Sequence, residues 1–89
     1  MTLDERFAAA QERVKTLPAA PDTATLLELY ALYKQGTVGD ATGGRPGVFD
    51  LKGRAKHDAW AARKGMAREA AREAYVALVD RLAGAAGAR

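Results

Sequence analysis

The 89-residue chain contains no cysteine, no serine and no isoleucine, and its one histidine is His57. Without cysteine there is no disulfide framework and no thiolate metal site. A single histidine is too few for an ordinary zinc site. With neither serine nor cysteine, the usual pairing of a nucleophile with a base cannot be assembled. Asp4, Glu5, Glu12 and Asp22 stand among basic neighbours at solvent-facing helix positions and read as surface. No catalytic residue, metal ligand or cofactor is therefore expected. No run approaches the roughly 18 consecutive apolar residues of a membrane helix. The opening MTLDERFAAAQERV mixes charged with apolar residues where a signal peptide would need an unbroken apolar stretch. These absences predict a small soluble domain, intracellular and cytoplasmic, without an integral membrane segment.

Hydrophobic residues make up 48% of the chain, but 21 of them are alanine and only 22 are larger. Such a composition, rich in Ala and poor in β-branched residues, favours helices over sheet. The net charge of +3 is unevenly spread. Residues 1–44 carry four basic and six acidic side chains, whereas residues 45–72 carry eight basic and three acidic ones. A basic middle segment is either a solvated helix face or a surface for an anionic partner.

Leu3, Phe7, Ala10, Val14 and Leu17 recur at steps of four and three, the period of one helix face. Thr2 or Asp4 can cap this helix, and Pro18 and Pro21 stop it. A second helix is predicted from Asp22 or Thr23 to about Thr37, with Leu26, Leu29, Tyr30 and Tyr33 on one face. Residues 36–50, GTVGDATGGRPGVFD, pack five glycines and a proline into twelve positions and form no regular element. So long a loop in so small a domain is either functional or a connector between helices that cannot be adjacent. A third helix is predicted over Lys52–Lys64, ended by Gly65, and a fourth from about Ala67 to Ala83. On the fourth, Ala71, Ala74, Tyr75, Leu78, Val79 and Leu82 form the buried side. Residues 84–89 are expected to fray. The prediction is an all-α, four-helix bundle forming a single domain over residues 1–89.

The glycine-rich loop lacks the GxxxxGK[ST] pattern of a phosphate-binding loop. One cluster carries chemistry. Tyr30, Tyr33 and Lys34 lie together on the second helix, and Lys52, Arg54 and Lys56 open the third, followed by Trp60. Tyrosine rings can stack on a planar base, and ammonium groups can hold phosphate. Core packing and a solvated face account for the same residues, and single-stranded nucleic acid would attract them too.

The run from Tyr30 to Trp60 contains YxxYKQxTxGD and then RPGxxDxKGxAKxxAW, followed by Lys64-Gly65. It closely resembles the signature of the acyl-CoA-binding protein family. Phe7 and Val14 in the first helix and AYVALVDRL at 74–82 agree with it. The resemblance implies a four-helix bundle with a long loop between helices 2 and 3. It implies a non-enzymatic, monomeric protein that binds, buffers and transports long-chain fatty acyl-CoA. It further implies that Tyr33 stacks on the adenine and that Tyr30, Lys34 and Lys56 hold the ribose 3′-phosphate. Tyr75 then closes the site, and Lys15, Leu26, Leu27 and Gln11 flank the acyl chain. A domain of this size has no room for an enclosed tunnel, so the chain is expected in a surface groove.

Two positions depart from the family pattern. His57 stands where an aromatic residue, commonly Trp, is usual. It is expected to border the phosphate site and to cover the ligand less than an indole. Gly65-Met66-Ala67 offers no hydroxyl to cap the fourth helix. The competing reading is a basic helical module for nucleic acid or another phosphorylated ligand. The acidic first half, and the lack of a helix rich in Arg, Asn and Gln, argue that no nucleic acid is bound.

Overall fold

A computed structural model describes the backbone of residues 1–87 and the side chains of residues 1–84. Four helices follow in order: α1 (Leu3–Val14), α2 (Thr23–Thr37), α3 (Leu51–Ala61) and α4 (Arg68–Gly87). Their starts obey local chemistry. Thr2 accepts the N–H of Glu5 at 3.1 Å, and Glu5 accepts that of Thr2 at 2.9 Å, a complete capping box. Asp22 caps α2 through the N–H of Thr25, and Asp50 caps α3 through the N–H of Gly53.

Three boundaries differ from the sequence reading. α1 ends at Val14, short of Leu17, because Lys15 and Thr16 turn back to bond Glu12 and Arg13. This tighter final turn satisfies end carbonyls before the prolines are reached. α3 stops at Ala61, and its expected last turn is a series of short-range bonds leading to Gly65, which takes a φ of +90°. α4 continues past Ala83 to Gly87. The fraying expected of residues 88–89 concerns positions outside the described residues.

α4 packs on α1 and on α2, while α3 packs on α2. Phe7, Leu29, Leu32, Tyr75, Val76, Leu78 and Val79 form the buried centre with Ala10 and Ala71. Pairings across the helices give their directions. Arg72 reaches Asp4 and Arg13 reaches Asp80, so α1 and α4 run the same way. Tyr30 meets Lys56 and Lys34 meets Trp60, so α2 and α3 also run the same way. Two parallel neighbours cannot share a short turn. The connection must return along the whole of α2, about 22 Å at 1.5 Å per residue. Residues 38–50 supply that return.

The returning loop is pinned where it leaves α2. Gln35 is wholly buried, and its amide nitrogen donates to Asp40 and to the carbonyl of Met66, both at 2.8 Å. Asp40 also accepts the N–H of Gly65 at 2.9 Å. Trp60 donates its indole N–H to the carbonyl of Gly39 at 2.7 Å. Arg68 and Arg72 donate to the carbonyls of Val38 and Gly36, both at 2.8 Å, which neutralises the negative end of α2. Arg45 forks onto Asp58 at 3.0 and 2.7 Å and fastens the far part of the loop to α3.

Gly39 has a φ of +96°, and a Cβ there would lie 3.2 Å from the Arg68 guanidinium. Gly39→Ala is expected to lower the unfolding free energy by about 1–2 kcal/mol, the cost of a side chain in the left-handed region. Gly44→Ala, at a site with open space and no positive φ, is the control and should not lower stability to urea, and should raise it by at most about 1 kcal/mol.

Asp40 carries a pH signature. The hydrogen bond from Gly65, and then that from Gln35, hold its carboxyl below the usual carboxylate range. A carboxyl lowered in the folded state stabilises above its unfolded value near 3.9 and loses that contribution as pH falls through and below it. Thermal unfolding of wild type should therefore lose stability more steeply than Asp40→Asn between about pH 5 and pH 2. Parallel curves would remove Asp40 from the account.

Candidate functional site

The site grows from the seam between α2 and α3. Tyr30 and Lys34 are one turn apart on α2, and Lys56 and Trp60 are one turn apart on α3. Packed in the same direction, they form two rungs. The Lys56 Nζ lies 5.3 Å from the Tyr30 ring centre, and the Lys34 Nζ lies 4.8 Å from that of Trp60. Each rung pairs a cation with an aromatic face, worth about 0.5–1 kcal/mol where exposed. Among the described residues neither ammonium has a carboxylate within ion-pair distance. Two uncompensated cations on successive rungs make a site for an anion.

Beside this seam is a cleft of about 410 Å³. Thr23, Leu26, Leu27 and Tyr30 line it from α2, and Lys52, Ala55 and Lys56 from α3. A second cleft of about 370 Å³ lies against α1 and α4, lined by Val14, Lys15, Leu29, Tyr33 and Tyr75 among others. Leu26 and Tyr30 border both, so the two clefts adjoin along α2. Each falls in the ~300–1,000 Å³ range of small-molecule sites. A hollow of about 200 Å³ between α1 and α4 lies apart from them, bordered by Arg6, Arg13 and Asp80.

The aromatic side chains form a graded wall. Tyr75 is buried, and Phe7 meets it edge-on at 5.2 Å. Tyr33 stacks on Phe7 at 6.1 Å but keeps 39% of its surface exposed. It therefore presents an open ring beside the groove. Burial, and then the neighbouring Tyr33, push the Tyr75 phenol up from its ordinary value, so it stays neutral at physiological pH.

The structure brings together most residues singled out from the sequence. Tyr30, Lys56, Leu26 and Leu27 line the first cleft, Tyr33, Tyr75 and Lys15 line the second, and Lys34 occupies the next rung of the seam. The Lys15 ammonium pairs with Glu12 at 3.1 Å, leaving its aliphatic stem to the cleft wall. Gln11 and His57 line neither cleft. The Gln11 amide donates to the Phe7 carbonyl of its own helix at 3.3 Å. His57 packs against Trp60, ring centres 6.5 Å apart and 71° between planes. Both its nitrogens are shielded from solvent and have no hydrogen-bond partner among the described residues.

Lys52 belongs to the cleft although only its membership of a basic cluster was legible. Its spacing of four from Lys56 puts both on one face of α3. Thr23 and Val14 were legible only as a helix start and a helix-face residue, and Ala55 gave no signal in the sequence.

Fold and site together define a class: a helical bundle that offers an amphiphilic anion a cationic, aromatic seam adjoining an apolar groove. The family described as Acyl CoA binding protein matches residues 4–79. Acyl-CoA-binding protein homolog 1 of Caenorhabditis elegans is 56% identical over 88 residues, 99% of this chain and 100% of that one. The acyl-CoA-binding protein of Saccharomyces cerevisiae is 48% identical over 80 residues, 90% of this chain and 92% of that one. The crystal structure of Oryza sativa acyl-CoA-binding protein 2 matches with a TM-score of 0.93 at 46% identity, covering 98% and 97% of the two chains. The chain belongs to the acyl-CoA-binding protein family.

His57 generates a test independent of ligand. A shielded ring with two unpaired nitrogens carries an uncompensated desolvation cost. His57→Phe is expected to raise the unfolding free energy by about 1 kcal/mol. A variant less stable than wild type would mean that the imidazole is paired in solution.

Proposed function

We propose that this chain binds long-chain fatty acyl-CoA thioesters one-to-one, as a monomer and without converting them, and thereby buffers and carries them. The observation that carries this reading is that the cationic seam adjoins the apolar groove at Leu26 and Tyr30. Only a ligand with a phosphorylated head and a long apolar tail uses both parts. The Cα framework measures only 16 Å along its shortest axis, which favours a surface groove over an enclosed tunnel.

In this reading Tyr33 stacks on the adenine, and Tyr30, Lys34 and Lys56 hold the ribose 3′-phosphate. Tyr75 supplies the neutral wall opposite. Leu26, Leu27 and the Lys15 stem cover the acyl chain, with Gln11 near it at the α1 margin. His57 acts through Trp60, which the Lys34 ammonium overlies. Each buried methylene contributes about 0.8 kcal/mol, and each hydrogen bond to a charged group about 1.5–3 kcal/mol. Once one end is held, the other binds at high effective concentration, so the contributions combine only in the ester.

Calorimetric titration with palmitoyl-CoA, CoA and palmitate tests this. Palmitoyl-CoA is expected to bind far more tightly than either part; equal affinity for CoA and its ester would remove the groove. Lys56→Ala should cost about 1.5–3 kcal/mol against palmitoyl-CoA and little against its 3′-dephospho analogue. An oligonucleotide that binds more tightly than palmitoyl-CoA at equal salt would favour the nucleic-acid reading instead.

A further inference from the structure

The loop between α2 and α3 ends in an apolar tip that the core does not use. Phe49 is 96% exposed, Leu51 76% and Val48 62%, all within four consecutive positions. Single exposed apolar residues are ordinary, but a contiguous group marks a contact surface. The intervening Asp50 does little to offset it, because its carboxylate turns back to cap α3 on the N–H of Gly53. The surroundings are basic. Residues 41–49 carry Arg45 and no acidic side chain. Lys52 and Lys56, on the first turns of α3, are exposed and have no ion-pair partner among the described residues.

We propose that Val48, Phe49 and Leu51 insert into the interfacial region of an anionic lipid bilayer, with Lys52, the neighbour of Leu51, held at the headgroups. Apolar side chains next to a cationic helix start combine the two attractions that hold peripheral proteins on such surfaces, burial among acyl chains and attraction to anionic headgroups. Phe49 stands almost wholly clear of the protein, and a fluid surface accommodates a protruding ring. A stable contact with a second copy or another protein would need roughly 1,200 Å² of buried surface, more than three side chains supply. The tip is also joined to the site: Leu51 precedes Lys52, which lines the first cleft. Docking therefore sets the mouth of that cleft at the lipid surface. There, on the function proposed above, an acyl-CoA enters and leaves.

The experiment is co-sedimentation of the full chain with vesicles of phosphatidylcholine alone and of equimolar phosphatidylcholine and phosphatidylserine. Palmitoyl-CoA affinity is measured on the same proteins without vesicles, so that failure of docking and failure of ligand binding are told apart. Wild type is expected on the anionic vesicles and to be released by salt. Phe49→Ser should partition about ten-fold less, the scale of losing most of one ring's burial, with solution affinity for palmitoyl-CoA unchanged. In Phe49→Trp, the added emission should shift to the blue and be quenched by brominated acyl chains, against the constant signal of Trp60. Three results would overturn the proposal: no binding of wild type to anionic vesicles, equal binding of Phe49→Ser, or an introduced indole that brominated chains do not quench. Self-association that depends on Phe49, without vesicle binding, would assign the tip to a second copy instead.

Discussion

Everything that distinguishes this bundle follows from packing α2 and α3 in the same direction. Antiparallel neighbours can be joined by a few residues, but parallel ones require the chain to travel back the length of a helix. That requirement accounts for the thirteen residues between Thr37 and Leu51. It also places the C-terminal end of α2 under unusual demand. Carbonyls at and just beyond that end receive three side-chain donors from two other helices: Arg72 to Gly36 and Arg68 to Val38 from α4, and Trp60 to Gly39 from α3. The Gln35–Asp40 pair then ties the start of the loop to the α3–α4 connection. The packing in turn creates the site, since only same-direction helices bring Tyr30 opposite Lys56 and Lys34 opposite Trp60.

The long motif therefore does two jobs with interleaved residues. Gln35, Gly39, Asp40, Asp50 and Gly53 hold backbone in place and do not line the clefts. Tyr30, Lys34, Lys52 and Lys56 face the seam or the cleft. Trp60 belongs to both, bonding Gly39 through its indole nitrogen and supporting Lys34 on its ring. A change at one set perturbs ligand contacts; a change at the other perturbs the frame that aligns them.

The fold has a small core with which to hold this arrangement. With 21 alanines among its hydrophobic residues, burial contributes less per residue than in a core of larger side chains. Polar ties to backbone carbonyls and the side-chain caps of α1, α2 and α3 make up part of the difference. Several large apolar side chains, among them Leu26 and the loop tip, remain outside the core. A ligand that covers Leu26 and the open face of Tyr33 adds stability by mass action, since it binds only the folded state.

Local chemistry was legible in the sequence because it depends on neighbours within a few residues. The four helices, the caps at Thr2 and Asp22, the structureless segment and the buried face of α4 follow from period, hydroxyl or carboxylate placement, and glycine; the Asp50 cap of α3 emerged only in the structure. The family motif already named Tyr30, Tyr33, Lys34, Lys56 and Tyr75. Only the tertiary structure decided which contacts those residues make. Leu17 lost its place in α1 because a tightened turn satisfied the helix end first. The Gln11 amide bonds its own helix, and His57 packs onto Trp60 beside the seam, since one helical position past Lys56 shifts a side chain by about 100°. The direction of α3 relative to α2, and hence the seam of paired cations and rings, depends on contacts some 26 residues apart. No local pattern encodes such a separation.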